Sequence, residues 1–189
     1  ELCAGNLASF TLEVEDNGFI TYQWQLYEES VYKDITDDDT YQGTLTNTLL
    51  IPFTTHHLDQ NNYRCLVSNE EGTTISNEVL LTVNGQYANA GADTAVYFDG
   101  YPIPNISLQL YAEELIPGMA GLWTTNEPGV VVNTPTQYNS MVQEIHPGEN
   151  ILVWTLNGGT CPSSTDSLYI FSGASIIPNG SAVNWNNPD

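Results

Sequence analysis

The sequence predicts an all-β chain, two sandwiches in tandem, and three observations carry that prediction. Runs rich in Val, Ile, Thr, Tyr and Leu alternate with turn residues at short intervals, and no segment of useful length has the helical period. Trp24 lies on an early run, and on a late one Tyr63 stands two residues before Cys65. In a sandwich of the immunoglobulin-like type, such a tryptophan fills the space between two sheets. The tyrosine hydroxyl closes a corner on backbone, and the residue two further on faces the same core. The pattern restarts after Asn84-Gly85-Gln86, with Trp123 as a second early tryptophan and Trp154 where the first half has Cys65. Trp24, Tyr63, Trp123 and Trp154 are therefore the expected core.

Taken in order, residues 9–14 alternate with Phe10, Leu12 and Val14 inward. Asp16-Asn17-Gly18 is a turn. Residues 20–27 are the strand of Trp24, 34–40 an acidic loop, and 46–52 a strand with Leu49 and Ile51 on one face. Residues 56–61 form the corner before the Tyr63 strand. A hairpin turn at Glu71-Gly72 leads to the strand 76–83, which closes a first domain over 1–84. A second domain, 88–172, opens at Ala88. Residues 106–111 alternate, 121–124 carry Trp123, and 138–145 are a strand. His146-Pro147-Gly148-Glu149-Asn150 makes a tight corner before 151–156. Asn157-Gly158-Gly159 is a hairpin turn, and 167–171 the last strand. The stretch 173–189 reads as a linker or an extra strand, with its short apolar run Ile176-Ile177.

Charge narrows the function. The 189 residues hold 2 Lys+Arg against 23 Asp+Glu, a formal net charge of -21, and Lys33 and Arg64 are the only permanent cations. Nucleic-acid binding needs a basic footprint, which this chain cannot supply. Attraction to an anionic membrane fails for the same reason, and no apolar run approaches bilayer length. The carboxylates have almost nothing to pair with, so they are solvated or hold divalent cations, and a salty medium suits them. With 41% hydrophobic residues the chain still buries real cores. It opens Glu1-Leu2-Cys3, which has no Met, is no signal peptide and lacks the first strand such a domain normally has. It reads as a piece of a longer chain.

Two sets of residues carry a resemblance. In the first half they are Cys3-Ala4-Gly5, Thr21-Tyr22-Gln23-Trp24-Gln25, Thr46-Asn47-Thr48-Leu49 and residues 62–69 around Tyr63-Arg64-Cys65. In the second they are Ala90-Gly91-Ala92-Asp93, Gly121-Leu122-Trp123-Thr124, Pro147-Gly148-Glu149-Asn150 and residues 154–162. Both halves resemble tandem repeat domains of very large surface proteins of gliding bacteria, exported by type IX secretion. Residues 88–172 are similar to the polycystic-kidney-disease-like (PKD-like) variant of the sandwich. The resemblance implies adhesion, motility surfaces or extracellular fibres, and an extracellular place on the bacterial cell surface. It also bears on Cys3, Cys65 and Cys161. Repeats of the second kind usually have a Cys where Tyr97 stands, to partner Cys161. Repeats of the first kind often have another near Glu71. Both are absent, which implies that Cys161 lacks a partner in its own domain and leaves Cys3–Cys65 as the local pairing. Geometry leaves that pairing open, since Val14 occupies the position that ordinarily faces Cys65. A Cys3–Cys161 link, within or between chains, is the alternative and would favour covalent assembly.

Signals for chemistry are weak. Asp34, Asp37, Asp38 and Asp39 could hold calcium, a hard cation that wants several oxygens. The loop lacks the Gly and terminal Glu of an EF-hand, so a solvated acidic loop is the preferred reading. Asp16, Asp59 and Asp93 near the domain ends carry a similar, equally weak reading. His56, His57 and His146 are the only histidines. Sequence neighbours point apart, so His56 and His57 make no ready metal pair. No Gly-x-Ser-x-Gly elbow or Cys-x-x-Cys occurs, and an acidic setting raises thiol pKa values, so an enzyme is not expected. Tyr22, Tyr27, Tyr32, Tyr41, Tyr87, Tyr101 and Trp185 could form a sugar platform, although core and interface filling is the preferred reading.

The sequence therefore points to a non-enzymatic structural and adhesive module of a secreted bacterial surface protein. Its expected partners are neighbouring copies or domains of the same protein, and cell-surface glycans. The second reading is a carbohydrate-binding accessory module of a secreted hydrolase. No cofactor is expected beyond calcium.

Overall fold

The computed structural model describes residues 1–15, 18–98 and 106–174. The expected turn at Asp16-Asn17 lies outside them, as do Tyr101, Trp185 and the run Ile176-Ile177. The chain divides into two compact units: Glu1–Tyr87 together with Gly158–Pro162, and Ala88–Asn157 with the chain from Ser163 onward.

The first unit holds β1 (Leu2–Cys3), β2 (Ala8–Thr11), β3 (Thr21–Glu28), β4 (Val31–Asp34) and β5 (Thr48–Ile51). After a 3-10 turn at His56–Leu58 come β6 (Asn62–Asn69), β7 (Gly72–Ile75), β8 (Val79–Leu80) and β9 (Val83–Asn84). One sheet has the order β4-β3-β6-β7, with β8 also on β6; β2 pairs with β5 opposite it. Period-two alternation sends Trp24 of β3 and Tyr63 and Cys65 of β6 inward against Leu49 and Ile51 of β5. Trp24 buries its ring and donates its indole N–H to the Thr46 carbonyl at 3.0 Å, so its one polar atom is satisfied.

Four details differ from the sequence expectation. Leu2–Cys3 is itself a short strand, parallel to Val83–Asn84, so the place of a first strand is filled. Val14 lies beyond the end of β2 and is exposed, so it does not face Cys65. The Tyr63 hydroxyl meets the Tyr41 hydroxyl and the Asn61 side-chain amide, each at 3.3 Å, rather than backbone. The acidic loop brings Tyr41 into the core, and that buried hydroxyl supplies the partner that backbone would have given. The fourth concerns sulfur. Cys3 is bonded to Cys161, with Cα atoms 5.7 Å apart, and not to Cys65. Cys65 is a free thiol, fully buried beneath the sheet, and burial pushes its pKa up. Its Sγ points into the core while Cys3 lies on β1, and the excursion Gly158–Pro162 brings Cys161 into this unit. The bond is the alternative link between Cys3 and Cys161 that the sequence left open, and it gives Cys161 a partner outside residues 88–172.

The second unit comprises β10 (Thr94–Phe98), β11 (Ile106–Gln109), β12 (Met119–Thr125), β13 (Val131–Val132), β14 (Met141–Ile145), β15 (Gly148–Gly158) and β16 (Ser164–Ala174). Its sheets run β10-β16-β15-β12 and β11-β14-β13. β10 lies parallel to β16, while β15 and β16 form a long antiparallel ladder from Gly148↔Ser172 to Leu156↔Ser164. β16 continues to Ala174, two residues into the stretch read from sequence as a linker or an extra strand. The expected corner is present and locked by Asn150, which is fully buried. Its Oδ1 accepts from the His146 N–H at 2.9 Å, and its Nδ2 donates to the His146 carbonyl at 2.8 Å. Trp123 and Trp154 are buried with ring centroids 5.0 Å apart. Neither indole N–H has a hydrogen-bond partner among the described residues. Gly121, one strand over, leaves room for the Trp154 ring: a Cβ there would collide with its six-membered edge.

Candidate functional site

Side-chain chemistry in the first unit gathers on the outer face and edges of its larger sheet. Residues of β3, β4 and β6 that alternate with the buried ones carry it. Tyr27 of β3 stands directly opposite Tyr32 of β4, and their rings lie 5.0 Å apart. The Arg64 guanidinium of β6 sits over the Tyr32 ring, 3.7 Å from its centroid, in a cation–π contact. Arg64 Nε donates to Gln25 Oε1 at 2.8 Å, and Gln25 Nε2 donates to Asp34 Oδ1 at 2.7 Å. Desolvation and a hydrogen bond to Glu78 push the Tyr32 hydroxyl up to about 12. Arg64 thus ties three strands together, and the Tyr32 face that could take a sugar ring is covered by it.

The two edges of this sheet differ. β4 carries Lys33, which pairs with Glu28 at 3.0 Å and Glu29 at 2.6 Å, a charge that discourages strand addition. β7 reads Gly72-Thr73-Thr74-Ile75, has no charge or proline, and is exposed throughout. Among the described residues it pairs only with β6. The Ser76 N–H donates to the Cys65 carbonyl at 2.9 Å, so alternation turns the N–H groups of Thr73 and Ile75 away from β6. Beside β7 runs an open groove of about 620 Å³, with Leu12, Glu13 and Glu15 on one wall and Val67, Glu71 and Thr73 on the other. An extended segment laid there would find backbone donors and acceptors on β7 and apolar contact with Leu12 and Val67. The sequence cue to this edge is the uncharged Thr-Thr-Ile run of β7.

The acidic loop is organised from within. Asp37 Oδ1 accepts from the Thr44 N–H at 2.8 Å and the Thr44 hydroxyl at 2.6 Å. Asp38 Oδ1 accepts from the N–H groups of Thr40 and Tyr41, both at 2.7 Å. Asp34 accepts from Gln25, and Asp39 is exposed. These carboxylates act as loop caps. The Thr44 bonds hold the Asp37 carboxyl below its ordinary value. A group depressed in the folded state stabilises above its unfolded pKa, and that contribution is lost as pH falls through the folded value. Replacing Asp37 with Asn should therefore flatten the acid limb of the stability–pH curve below about pH 4. Denaturant midpoints at pH 2–5 check this, and an unchanged acid limb would contradict it.

Asp59 and Asp93 are used likewise, accepting from the N–H groups of Val83 at 2.8 Å and Tyr169 at 3.0 Å. The His56 and His57 rings lie 3.9 Å apart instead of pointing away from each other. The 3-10 turn that carries them replaces the extended backbone on which neighbours diverge. Tyr22 packs against the core and Tyr87 meets Phe53 edge-on at 5.0 Å, so neither joins a platform with Tyr27. No helix among the described residues is long and apolar enough to cross a membrane.

No family model matches the sequence, and no curated protein matches it. Among solved structures the chain is similar to the N-terminal four Ig domains of Dscam1 isoform 1.9, at 14% identity and a TM-score of 0.41 over 92% of this chain and 43% of that one. It is similar to the PKD domain from the KIAA 1837 protein, at 17% identity and a TM-score of 0.41 over 52% of this chain and 95% of that one. The titin Ig tandem domains A164-A165 match at 13% identity and a TM-score of 0.34 over 92% of each chain. The chain spans less than half the length of the Dscam1 structure. The strand orders and the two separate cores described above define the architecture: an all-β chain of immunoglobulin-like sandwiches.

Proposed function

We propose that the chain is a non-enzymatic structural and adhesive module of a secreted bacterial cell-surface protein, one piece of an extracellular array, filament or appendage used in attachment. The open β7 edge beside its groove carries this reading. Its occupant is an extended, uncharged segment of a neighbouring copy or domain. The net charge of -21 repels an acidic partner, so backbone pairing and apolar burial must hold the contact. The run Ala174-Ser175-Ile176-Ile177 has the required composition. Salt shortens the range of the repulsion to about 3 Å at 1 M, and calcium would act similarly.

Sedimentation velocity of the chain across a salt series tests the reading. Association should appear as salt rises and be lost in Ile75→Lys, which restores an edge charge, and in Ile75→Pro, which deletes an outward-facing donor. A chain monomeric at every salt, or assemblies indifferent to both variants, would overturn it. A carbohydrate-binding accessory module of a secreted hydrolase is the second reading, supported by the exposed ring of Tyr27. Polysaccharide binding that disappears in Tyr27→Ala would favour it.

A further inference from the structure

We propose that the Cys3–Cys161 disulfide is a covalent load bypass: tension applied across the ends of the chain passes through sulfur and leaves everything between the two cysteines unloaded. The inference follows from covalent connectivity and does not depend on what the chain adheres to. The bonded residues are 158 apart in sequence. A pull entering at Glu1 reaches Cys3 in β1, crosses to Cys161, and continues through Pro162 into β16. β2 through β15 hang on the closed covalent loop as a side branch. Both sandwich cores therefore lie almost wholly off the force path, including Trp24, Tyr63, Trp123 and Trp154.

Among the described residues one strand of any length remains in series with the load, β16 (Ser164–Ala174). It is pulled from both ends along its own axis. Its neighbours are β15, antiparallel from Gly148↔Ser172 to Leu156↔Ser164, and β10, parallel from Thr94↔Ile170 to Phe98↔Ala174. The tension runs along the β16 backbone, while its ladder partners β10 and β15 lie on the bypassed loop and bear none of the end-to-end pull.

Reduction removes the bypass. Cys3 and Cys161 are partly exposed, so a dithiol reaches them. Its thiolate attacks one sulfur and forms a mixed disulfide, and the other cysteine leaves as a thiolate and takes up a proton. The second thiol of the reagent then closes its own ring disulfide and frees the first cysteine. Two electrons and two protons have moved from reagent to protein. The buried Cys65 takes no part.

The test is single-molecule extension of the whole chain, held at residues 1 and 189 between marker domains. Oxidised molecules should lengthen by about 100 Å at most, the reach of the roughly 30 residues outside the loop. Adding dithiothreitol at constant force should produce a further step of about 520–570 Å, the reach of the bypassed segment. The rate of that step should scale with reagent concentration. Cys65→Ser should leave both lengths unchanged, and Cys161→Ser should show the long extension without reductant. If Cys161→Ser fails to fold, the reagent-dependent step in the parent chain decides alone. Full extension of oxidised molecules, or a long step whose rate ignores the reagent, would overturn the proposal.

Discussion

Removing the Cys3–Cys161 bond is expected to lower the unfolding free energy by about 2–5 kcal/mol, the range for loss of a native cross-link. The size follows from the loop. A tie between residues 158 apart removes a large share of the conformations open to the unfolded chain. In the folded state the bond costs little reorganisation, since Cys3 is already paired through β1 to β9. Without it, β1 keeps only a two-residue ladder, Leu2↔Val83 and Cys3↔Asn84, and should fray first. Cys161→Ser and Cys3→Ser should shift the denaturant midpoint alike, by an amount the double variant does not exceed. A midpoint unchanged by either would show that the unfolded chain is compact enough for the tie not to matter.

Trp154→Ala should cost about 3–5 kcal/mol in the second unit. The ring is fully buried, packs against Trp123, and fills the space that Gly121 leaves open. Its orphaned N–H works in the other direction. A buried donor with no acceptor costs roughly 1–3 kcal/mol, so a side chain that keeps the bulk but drops the nitrogen should fare better than alanine. Trp154→Phe is that variant. Gly121→Ala sets the same contact against itself, forcing a methyl group into the indole, and should cost about 1–3 kcal/mol. Gly121→Ala combined with Trp154→Phe should cost less than the two changes added, because the smaller ring makes room for the methyl. Strict additivity in chemical denaturation would mean that the two side chains do not share the space.

Sequence and structure agree most closely where a residue's environment depends on local period. Trp24, Tyr63 and Cys65 read as core because strand alternation fixes which side of a sheet a residue faces, and the strands bearing them are long. What depended on the path of the chain between elements was not legible. Cys161 meets Cys3 because five residues of a hairpin, Gly158–Pro162, belong to the first unit, and no local pattern announces that. The Tyr63 hydroxyl found Tyr41, which the acidic loop delivers from 22 residues upstream. The bonds inside the acidic loop were not legible either, because composition shows how many oxygens are present and not which N–H groups they serve. The β7 edge could have been found from its missing gatekeeper charge, a signal as local as any strand pattern.

The placement of Lys33 and Arg64 has a consequence for resistance to proteolysis. Proteases of the trypsin type cut after lysine or arginine and need several residues of extended, unpaired backbone to enter their cleft. This chain presents them with two bonds. Lys33 lies in the β3–β4 ladder, and Arg64 lies in β6, between β3 and the strands on its other side, with its guanidinium over Tyr32. Neither bond can reach a protease without local opening of the five-stranded sheet, and the whole second unit has no cleavable residue of this kind. The composition that makes the surface so acidic also leaves this class of digestive enzyme almost nothing to cut.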